Sequence, residues 1–414
     1  MNKFTFVSVL SFFLLILAVS CHQDSKEFVK NSNMTYRPLG TTGSEVSEIG
    51  IGCAAFAELT PEQSYDFVSS AIDNGVNYLD VYDADPKVRD NIGFALKDRR
   101  NQMIIQGHIG CFYNGQQYER TRDLAEAKRG FEDLLRRLGT DYVEVGMLHL
   151  SDDLDDWNAI VDGPLMQYAQ ELKKEGKVKH IGMSSHNAEV ALAAAKSGLV
   201  EVIMFSMNPA FDALPAGLSV WDDESYKSMM SGVDPLRVEL YDYCALHHIA
   251  VVAMKAFGGA NGRLLDADRT PLKSALTPVQ CLSYALSKPC VATVVCGAMN
   301  AEELMEDIRY EQADETEKDY KAALNGTARS GADGTCTYCN HCSPCPKGIN
   351  IAKVNELLDQ AKAADEIPAE VLKEYKSLPH KAGECVQCGA CESRCPFAVS
   401  IRERMKEAKT FFGE

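Results

Sequence analysis

Residues 123–149 read DLAEAKRGFEDLLRRLGTDYVEVGMLH. The first half has a helical period: Leu124, Ala127, Phe131, Leu134, Leu135 and Leu138 recur on one side of a helix over Asp123–Leu138. Gly139 then stops it. The run Tyr142–His149 that follows is short, apolar and bounded, which predicts a buried strand. A helix feeding straight into a buried strand is half of a parallel β/α repeat.

The same unit recurs outward in both directions. Strand-like runs fall at Glu48–Phe56, Asn77–Tyr82, Met103–Ile109, Tyr142–His149, His180–Ser185, Val200–Asn208, Ile249–Phe257 and Val291–Gly297. Helical segments follow at Pro61–Asn74, Val88–Asp98, Asp123–Leu138, Trp157–Glu175, Ala188–Ser197, Asp234–His248, Pro278–Lys288 and Ala301–Ala313. Eight such units predict an α/β fold, a closed (β/α)8 TIM barrel. A doubly wound open sheet is the alternative, but no G-x-G-x-x-G follows the first strand. In a barrel the site lies at the carboxyl ends of the strands. That rule selects Asp80, His108, His149, Ser184, Ser185, Asn208 and Lys255. The segment Pro209–Gly232, with Trp221, is long enough for a lid or substrate loop.

Beyond the barrel pattern, residues 336–346 read CTYCNHCSPCP and 385–396 read CVQCGACESRCP. Each run places three cysteines at C-x2-C-x2-C spacing and a fourth before proline. Such a triplet wraps one iron–sulfur cube, and the fourth cysteine ligates the other cube. The pattern assigns Cys336, Cys339, Cys342 and Cys395 to one [4Fe-4S] cluster, and Cys385, Cys388, Cys391 and Cys345 to a second. The first run has x2 rather than x3 before Cys345. Zinc sites and a disulfide framework compete for the same cysteines, and the repeated triplet-plus-Cys-Pro pattern argues against both. Helices are predicted between the runs at Ile349–Ala363 and Pro368–Leu378, which makes this a small α-helical ferredoxin-like domain. The other cysteines, Cys53, Cys111, Cys244, Cys281, Cys290 and Cys296 among them, sit mostly in apolar segments and read as buried hydrophobes.

The formal charge of −17 argues against a nucleic-acid partner, which calls for a basic face. Residues 1–20 read as an export signal: Lys3, then a nearly apolar stretch too short to be a spanning helix. The signal ends LAVSC, similar to a bacterial lipoprotein signal, so Cys21 is expected to carry a lipid anchor. An uncleaved membrane anchor is the alternative. Residues 21–35 then form a tether, 36–325 the barrel and 326–414 the dicluster domain, with 314–335 as the linker region. The expectation is an exported protein held to the cell envelope. The N-terminus carries no Arg-Arg pair to mark the twin-arginine route that a folded cluster protein would take.

Over residues 36–313 the chain resembles the aldo/keto reductase family. YRPLGTTGSEVSEIGIG is similar to the family's N-terminal hairpin and first strand, and GVNYLDVYDADP to the segment carrying a catalytic aspartate, here Asp80. DYVEVGMLH is similar to the segment ending in a catalytic histidine, here His149. HIGMSSHN resembles the segment whose small polar residues, here Ser184 and Ser185, hold the nicotinamide amide. VVCGAMNAEELMED resembles the loop and helix start that grip the adenosine phosphate. The resemblance thus implies NAD(P)H as a cofactor, with Ser184, Ser185, Lys255, Gly297, Asn300 and Asp307 as its binding residues. The full chain resembles the subgroup with a C-terminal ferredoxin-like domain.

Measured against that family, the chain departs at the centre of the site. The family works with Asp, Tyr, Lys and His, the tyrosine protonating the carbonyl oxygen as hydride arrives. Here the tyrosine position is Asp85, the lysine position is His108, and a nicotinamide-holding glutamine is Met204. The usual Ser-Glu after the tyrosine is Val88-Arg89. An ionised Asp85 cannot donate a proton, so His108 or Tyr82 has to supply the acid. The catalytic set implied is Asp80, Tyr82, Asp85, His108 and His149. Asp80, Asp85, His108 and His149 are expected to converge, either as an acid/base relay with His108 as proton donor or as a divalent-metal site. Hydride carries two electrons and each cluster takes one, and no flavin fingerprint bridges the two. The reading is an oxidoreductase acting on a small carbonyl, alcohol or sugar-like molecule, with an electron-transfer partner. The alternatives are a docking or electron-transfer protein without a substrate, and a non-redox lyase or hydrolase.

Overall fold

The computed structural model describes residues 30–213, 233–259, 262–272, 274–324, 336, 342, 345–362, 364, 367–395 and 399–413. Eight parallel strands close into a barrel: β1 (Ile49–Gly52), β2 (Tyr78–Val81), β3 (Ile104–Ile109), β4 (Val143–Leu148), β5 (Val178–Ser185), β6 (Val202–Ser206), β7 (Ala250–Met254) and β8 (Val291–Cys296). They lie in sequence order, and β8 pairs with β1 to close the ring. Helices α1 (Pro61–Asp73), α2 (Pro86–Leu96), α3 (Leu124–Leu138), α4 (Leu154–Asp162), α5 (Pro164–Lys174), α6 (Ala188–Lys196), α7 (Pro235–Leu246), α8 (Pro278–Leu286) and α9 (Ala301–Ile308) are interleaved with the strands.

Packing follows from the two periodicities. On α3 the predicted face, Ala127, Phe131, Leu134, Leu135 and Leu138, is buried, and Gly139 ends the helix in the left-handed region at φ 64°. Inside the barrel a second cluster gathers Tyr78, Val145, Met147, Val202, Met204, Ala250, Val252 and Ala292. Leu39 and Val46 of the hairpin Tyr36–Pro38/Glu45–Ser47 join that cluster and plug the end of the barrel where the strands begin. Gly40 makes this fit possible: at φ 58°, a Cβ there would stand 2.6 Å from His248 O and 2.8 Å from Ala250 N.

Four local expectations change. The single helix expected over Trp157–Glu175 is two, α4 and α5, broken at Gly163, which has φ −100° and ψ −178°. Pro164 lacks an N–H and pushes the residue before it out of the helical region. Helix α2 starts at Pro86, ahead of the expected Val88. A hairpin, Cys111–Tyr113 with Tyr118–Arg120, stands between β3 and α3. The tether expected through residue 35 is bound to the barrel within the described part. Met34 is buried, the Asn31 Nδ2 donates to Asp73 O at 3.2 Å, and the Thr35 N–H donates to Glu311 Oε2 at 3.0 Å.

The described cysteines outside the two runs are all buried, as expected of small hydrophobes. At the far end, Tyr320, Ala323 and Leu324 pack into the barrel's outer core. The C-terminal module contains α10 (Ile351–Lys362), α11 (Ala369–Ser377) and α12 (Ile401–Phe411), and no strand among its described residues. Val354, Leu357, Leu358, Tyr375, Met405 and Phe412 form its core, with Tyr375 and Phe412 stacked at 3.8 Å. Among the described residues no helix is long and apolar enough to cross a membrane. The signal segment 1–20, Cys21 and most of the long segment after β6 lie outside the described residues.

Candidate functional site

The alternation of a strand sends every second side chain inward. On β2 these are Tyr78 and Asp80, and on β3 Gln106 and His108. Asp80 pairs with Gln106 in the parallel register, and His108 with Met147. His149 follows the end of β4, with its N–H on Ile109 O at 2.9 Å. The outcome is one chain of hydrogen bonds climbing from the core to the mouth. The Tyr78 hydroxyl donates to Gln106 Oε1 at 2.6 Å, and Gln106 Nε2 donates to Asp80 Oδ1 at 2.5 Å. His108 Nε2 meets the same Asp80 Oδ1 at 3.0 Å, and His108 Nδ1 meets His149 Nδ1 at 2.7 Å. Asp80, Gln106, His108 and His149 are all at most 5 % exposed, so no solvent competes for these bonds.

His149 Nε2 ends the chain. It is buried and has no hydrogen-bond partner among the described residues. Burial, then the neighbouring His108, Arg122, Arg120 and His186, hold the His149 imidazole well below the usual histidine range. The backbone just past it is fixed under strain. Leu150 takes φ 43°, a conformation that costs a residue with a side chain on the order of 1–3 kcal/mol. Arg122 donates to the His149 and Leu150 carbonyls at 2.9 and 2.7 Å while gripping Asp156 with Nε and Nη2 at 2.8 and 2.7 Å. The Leu150 N–H donates to Ser184 Oγ at 2.8 Å. Tyr118, from the added hairpin, lays its ring edge-to-face on His149 at 5.9 Å and on Tyr82 at 5.6 Å.

Two of the five expected catalytic residues do not join this chain. Asp85 caps helix α2, its Oδ1 accepting the Lys87 N–H at 2.7 Å. The reason is local: a carboxylate just before Pro86 meets the free N–H groups of a first helical turn. Tyr82 packs against Tyr118, and burial, with nearby Cys53 and Asp83, drives its hydroxyl far above the usual tyrosine range. His108 is not the outward donor either, since both of its nitrogens are engaged inside. The metal reading fails on the same geometry. Two Nδ1 atoms 2.7 Å apart leave no room for an ion between them. Among the described residues no group of three His, Cys, Asp or Glu could hold one. Cys53 and Cys111, close by, are kept as thiols by burial, Cys111 being pushed up to about 11.

The residues expected to bind a nicotinamide dinucleotide are largely occupied. Ser185 Oγ donates to Asp152 Oδ1 at 3.0 Å, and the same carboxylate accepts the His186 N–H at 2.5 Å and faces His186 Nδ1 at 2.9 Å. Burial works against the Asp152 charge, but these partners hold its carboxyl below the ordinary value. Lys255 sits at φ 60°, its carbonyl held by Asn208 Nδ2 at 2.9 Å, and burial lowers its ammonium against the pull of Asp152. Gly297 is exposed and has open space beside it. Asn300 caps α9 and is itself held by Glu303. Asp307, expected in the cofactor site, is instead buried near Cys296 and Cys281. Gln106, Arg122, Asp152 and Tyr118 complete the site. No motif in the sequence singles them out, although Gln106 is recognisable as the inward neighbour of His108 two residues on.

In the C-terminal module Cys345, Cys385, Cys388 and Cys391 line one cavity with Ile349, Ile351, Val386 and Met405. This is the set that the spacing assigned to one cluster. The four are not gathered tightly enough to hold a single ion such as zinc, yet they surround a common space, as the thiolates of a larger iron–sulfur cube must. None of the described cysteines is in a disulfide. Gln387, at φ 59°, donates its amide to Cys385 Sγ at 3.5 Å. Of the other set, Cys336, Cys342 and Cys395 are described and pack at the module's core, and Cys339 lies outside the described residues.

Comparison with known proteins agrees with both halves. The aldo/keto reductase family profile matches residues 48–218, and the 4Fe-4S dicluster domain profile matches 335–400. An uncharacterized oxidoreductase of Bacillus subtilis, YqkF, is 28 % identical over 315 residues, covering 71 % of this chain and 97 % of the relative. Morphine 6-dehydrogenase of Pseudomonas putida is 27 % identical over 183 residues, 43 % of this chain and 57 % of the relative. Among solved structures, the holo form of an aldo-keto reductase from Bacillus halodurans superposes with a TM-score of 0.53. It covers 69 % of this chain and 94 % of that one at 24 % identity, a likeness of fold.

Proposed function

We propose that this chain, whose barrel matches the aldo/keto reductase profile and whose C-terminal module matches the 4Fe-4S dicluster profile, is an oxidoreductase that interconverts a carbonyl and an alcohol on a small carbonyl, alcohol or sugar-like substrate. In this reading the Asp80–His108–His149 chain takes the place of the family's tyrosine–lysine pair. The observation that carries the reading is His149 Nε2, a buried polar atom without a partner among the described residues, at the end of a complete hydrogen-bond chain.

The proton bookkeeping follows from the partners. With Asp80 as carboxylate, His108 Nε2 carries a hydrogen toward it. Its Nδ1 then accepts from His149 Nδ1–H, and His149 Nε2 is bare. A proton arriving at Nε2 lets the His149 Nδ1 hydrogen pass to His108 Nδ1. The positive charge then rests on His108, against Asp80, and His149 is neutral with a hydrogen at Nε2 ready to donate. Burial disfavours a charge on His149 itself, and the relay avoids placing it there. Donation from Nε2 to a substrate oxygen returns the chain to its first state. Gln106 donates to Asp80 in both states and keeps the carboxylate as acceptor.

We assign Cys345, Cys385, Cys388 and Cys391 to one [4Fe-4S] cluster and Cys336, Cys339, Cys342 and Cys395 to a second. When bound, each such cluster would carry one electron, so the two together would supply or take the two electrons by which a carbonyl and an alcohol differ. Export through residues 1–20, lipid attachment at Cys21 and an electron-transfer partner belong to the same proposal, and the mass of the mature N-terminus checks the lipid.

The test is an anaerobic screen of small carbonyls, alcohols and sugars with one-electron dyes as donor or acceptor, on wild type and His149→Ala. Turnover is expected to drop about 10²–10⁴-fold in the variant, the worth of a positioned acid. His108→Gln breaks the chain between Asp80 and His149 and should lower turnover while leaving substrate binding intact. Full turnover in His149→Ala would exclude the relay.

A further inference from the structure

We infer that this barrel does not seat a nicotinamide dinucleotide in the family's pose, because both stations for it are closed by the chain's own carboxylates, Asp152 at the nicotinamide end and Glu303 at the phosphate end.

At the nicotinamide end the small polar residues are spent. Asp152 takes the hydroxyl of Ser185 and both the backbone and ring N–H groups of His186, and its own carbonyl accepts Asn187 Nδ2 at 3.1 Å. The Ser184 oxygen supports the strained Leu150 N–H. The amide that would complete the grip is absent. Position 204 is a methionine, its sulfur 3.1 Å from Gln106 Nε2.

At the phosphate end, helix α9 should offer free N–H groups and a positive dipole end. Glu303 reaches back to fill that place. Its Oε2 accepts the Met299 N–H at 2.8 Å and its Oε1 accepts Asn300 Nδ2 at 3.0 Å, while the Asn300 side chain accepts the Glu303 N–H at 2.9 Å. Glu302 adds a second carboxylate to the first turn, and no Arg or Lys lies in residues 299–303. The adenosine phosphate here would meet two like charges and would have to displace hydrogen bonds to a carboxylate. Each such bond shifts an equilibrium by about ten- to a hundredfold.

This inference concerns the source of electrons and stands apart from the relay. A dinucleotide that bound would leave the His149 reading intact, and a failed relay would leave the closure intact. The experiment is calorimetric titration of NADH and NADPH into the full chain with its clusters reconstituted, alongside Asp152→Asn, Glu303→Gln and the double variant. Wild type should show no saturable heat into the millimolar range. The double variant, matched to wild type in iron content and melting temperature, should bind at least about tenfold better, in line with one such bond removed. Micromolar binding by wild type would overturn the inference. A folded double variant no better than wild type would overturn the role given to these two carboxylates. Should the double variant not fold, each single variant serves, with the same expected direction and the same refuting result.

Discussion

Replacing Asp307 by Asn should make this protein more stable, and only above the acid range. Asp307 lies on α9 at 3 % exposure, and its Oδ2 has no hydrogen-bond partner among the described residues. Burial pushes its carboxyl up from 3.8 to about 7, helped by Glu303 and Glu306 and opposed by the thiol of Cys296. In the unfolded chain the same group ionises near its ordinary value. Between the two pKa values the folded state holds a proton that the unfolded state has released. The favourable contribution is therefore complete below the unfolded pKa and is lost as pH rises through the folded one. Three units at about 1.36 kcal/mol each come to about 4 kcal/mol. Asn has the shape of the neutral acid and never ionises. Urea midpoints of the reconstituted full chain and of Asp307→Asn, followed across pH, should coincide in acid. They should diverge to about 4 kcal/mol in favour of Asn above neutrality. Groups common to both proteins cancel in the difference. Parallel curves would show that Asp307 is charged in the fold, and that the burial argument is wrong for it.

Two further outcomes follow from the geometry. Asp212 accepts from Arg237, Tyr241 and Tyr284 at 3.2, 2.6 and 2.7 Å in a fully buried network, so Asp212→Ala should cost about 3–5 kcal/mol by leaving the guanidinium unpaired. A midpoint shift worth under about 1 kcal/mol would mean that the network relaxes, which a packed interior rarely does. Cys345→Ser should lower the iron of anaerobically reconstituted protein by about four per chain, whereas Cys290→Ser, at a buried cysteine outside both runs, should keep the wild-type content. An unchanged count in Cys345→Ser would remove that cysteine from the ligand set.

The barrel was legible because its signals are local. Phe131, Leu134 and Leu138 sit at helical spacing, and Gly139 ends their helix wherever the rest of the chain goes. The run at Val143–Leu148 is a strand by composition, and strand ends locate the mouth, which is how Asp80, His108 and His149 came to be named together. Cysteine spacing is local in the same way, and the four cysteines it groups, Cys345, Cys385, Cys388 and Cys391, line one cavity. The tertiary structure decided which atoms do the work. The register of β3 against β2 and β4 places one His108 nitrogen on Asp80 and the other on His149, so the outward position falls to His149. Asp152 reaches Ser185 across 33 residues, and Arg122 reaches the His149 carbonyl across 27. Polar side chains satisfy whichever partner the packed backbone brings within 3 Å, and that choice depends on distant segments meeting, which sequence spacing does not encode.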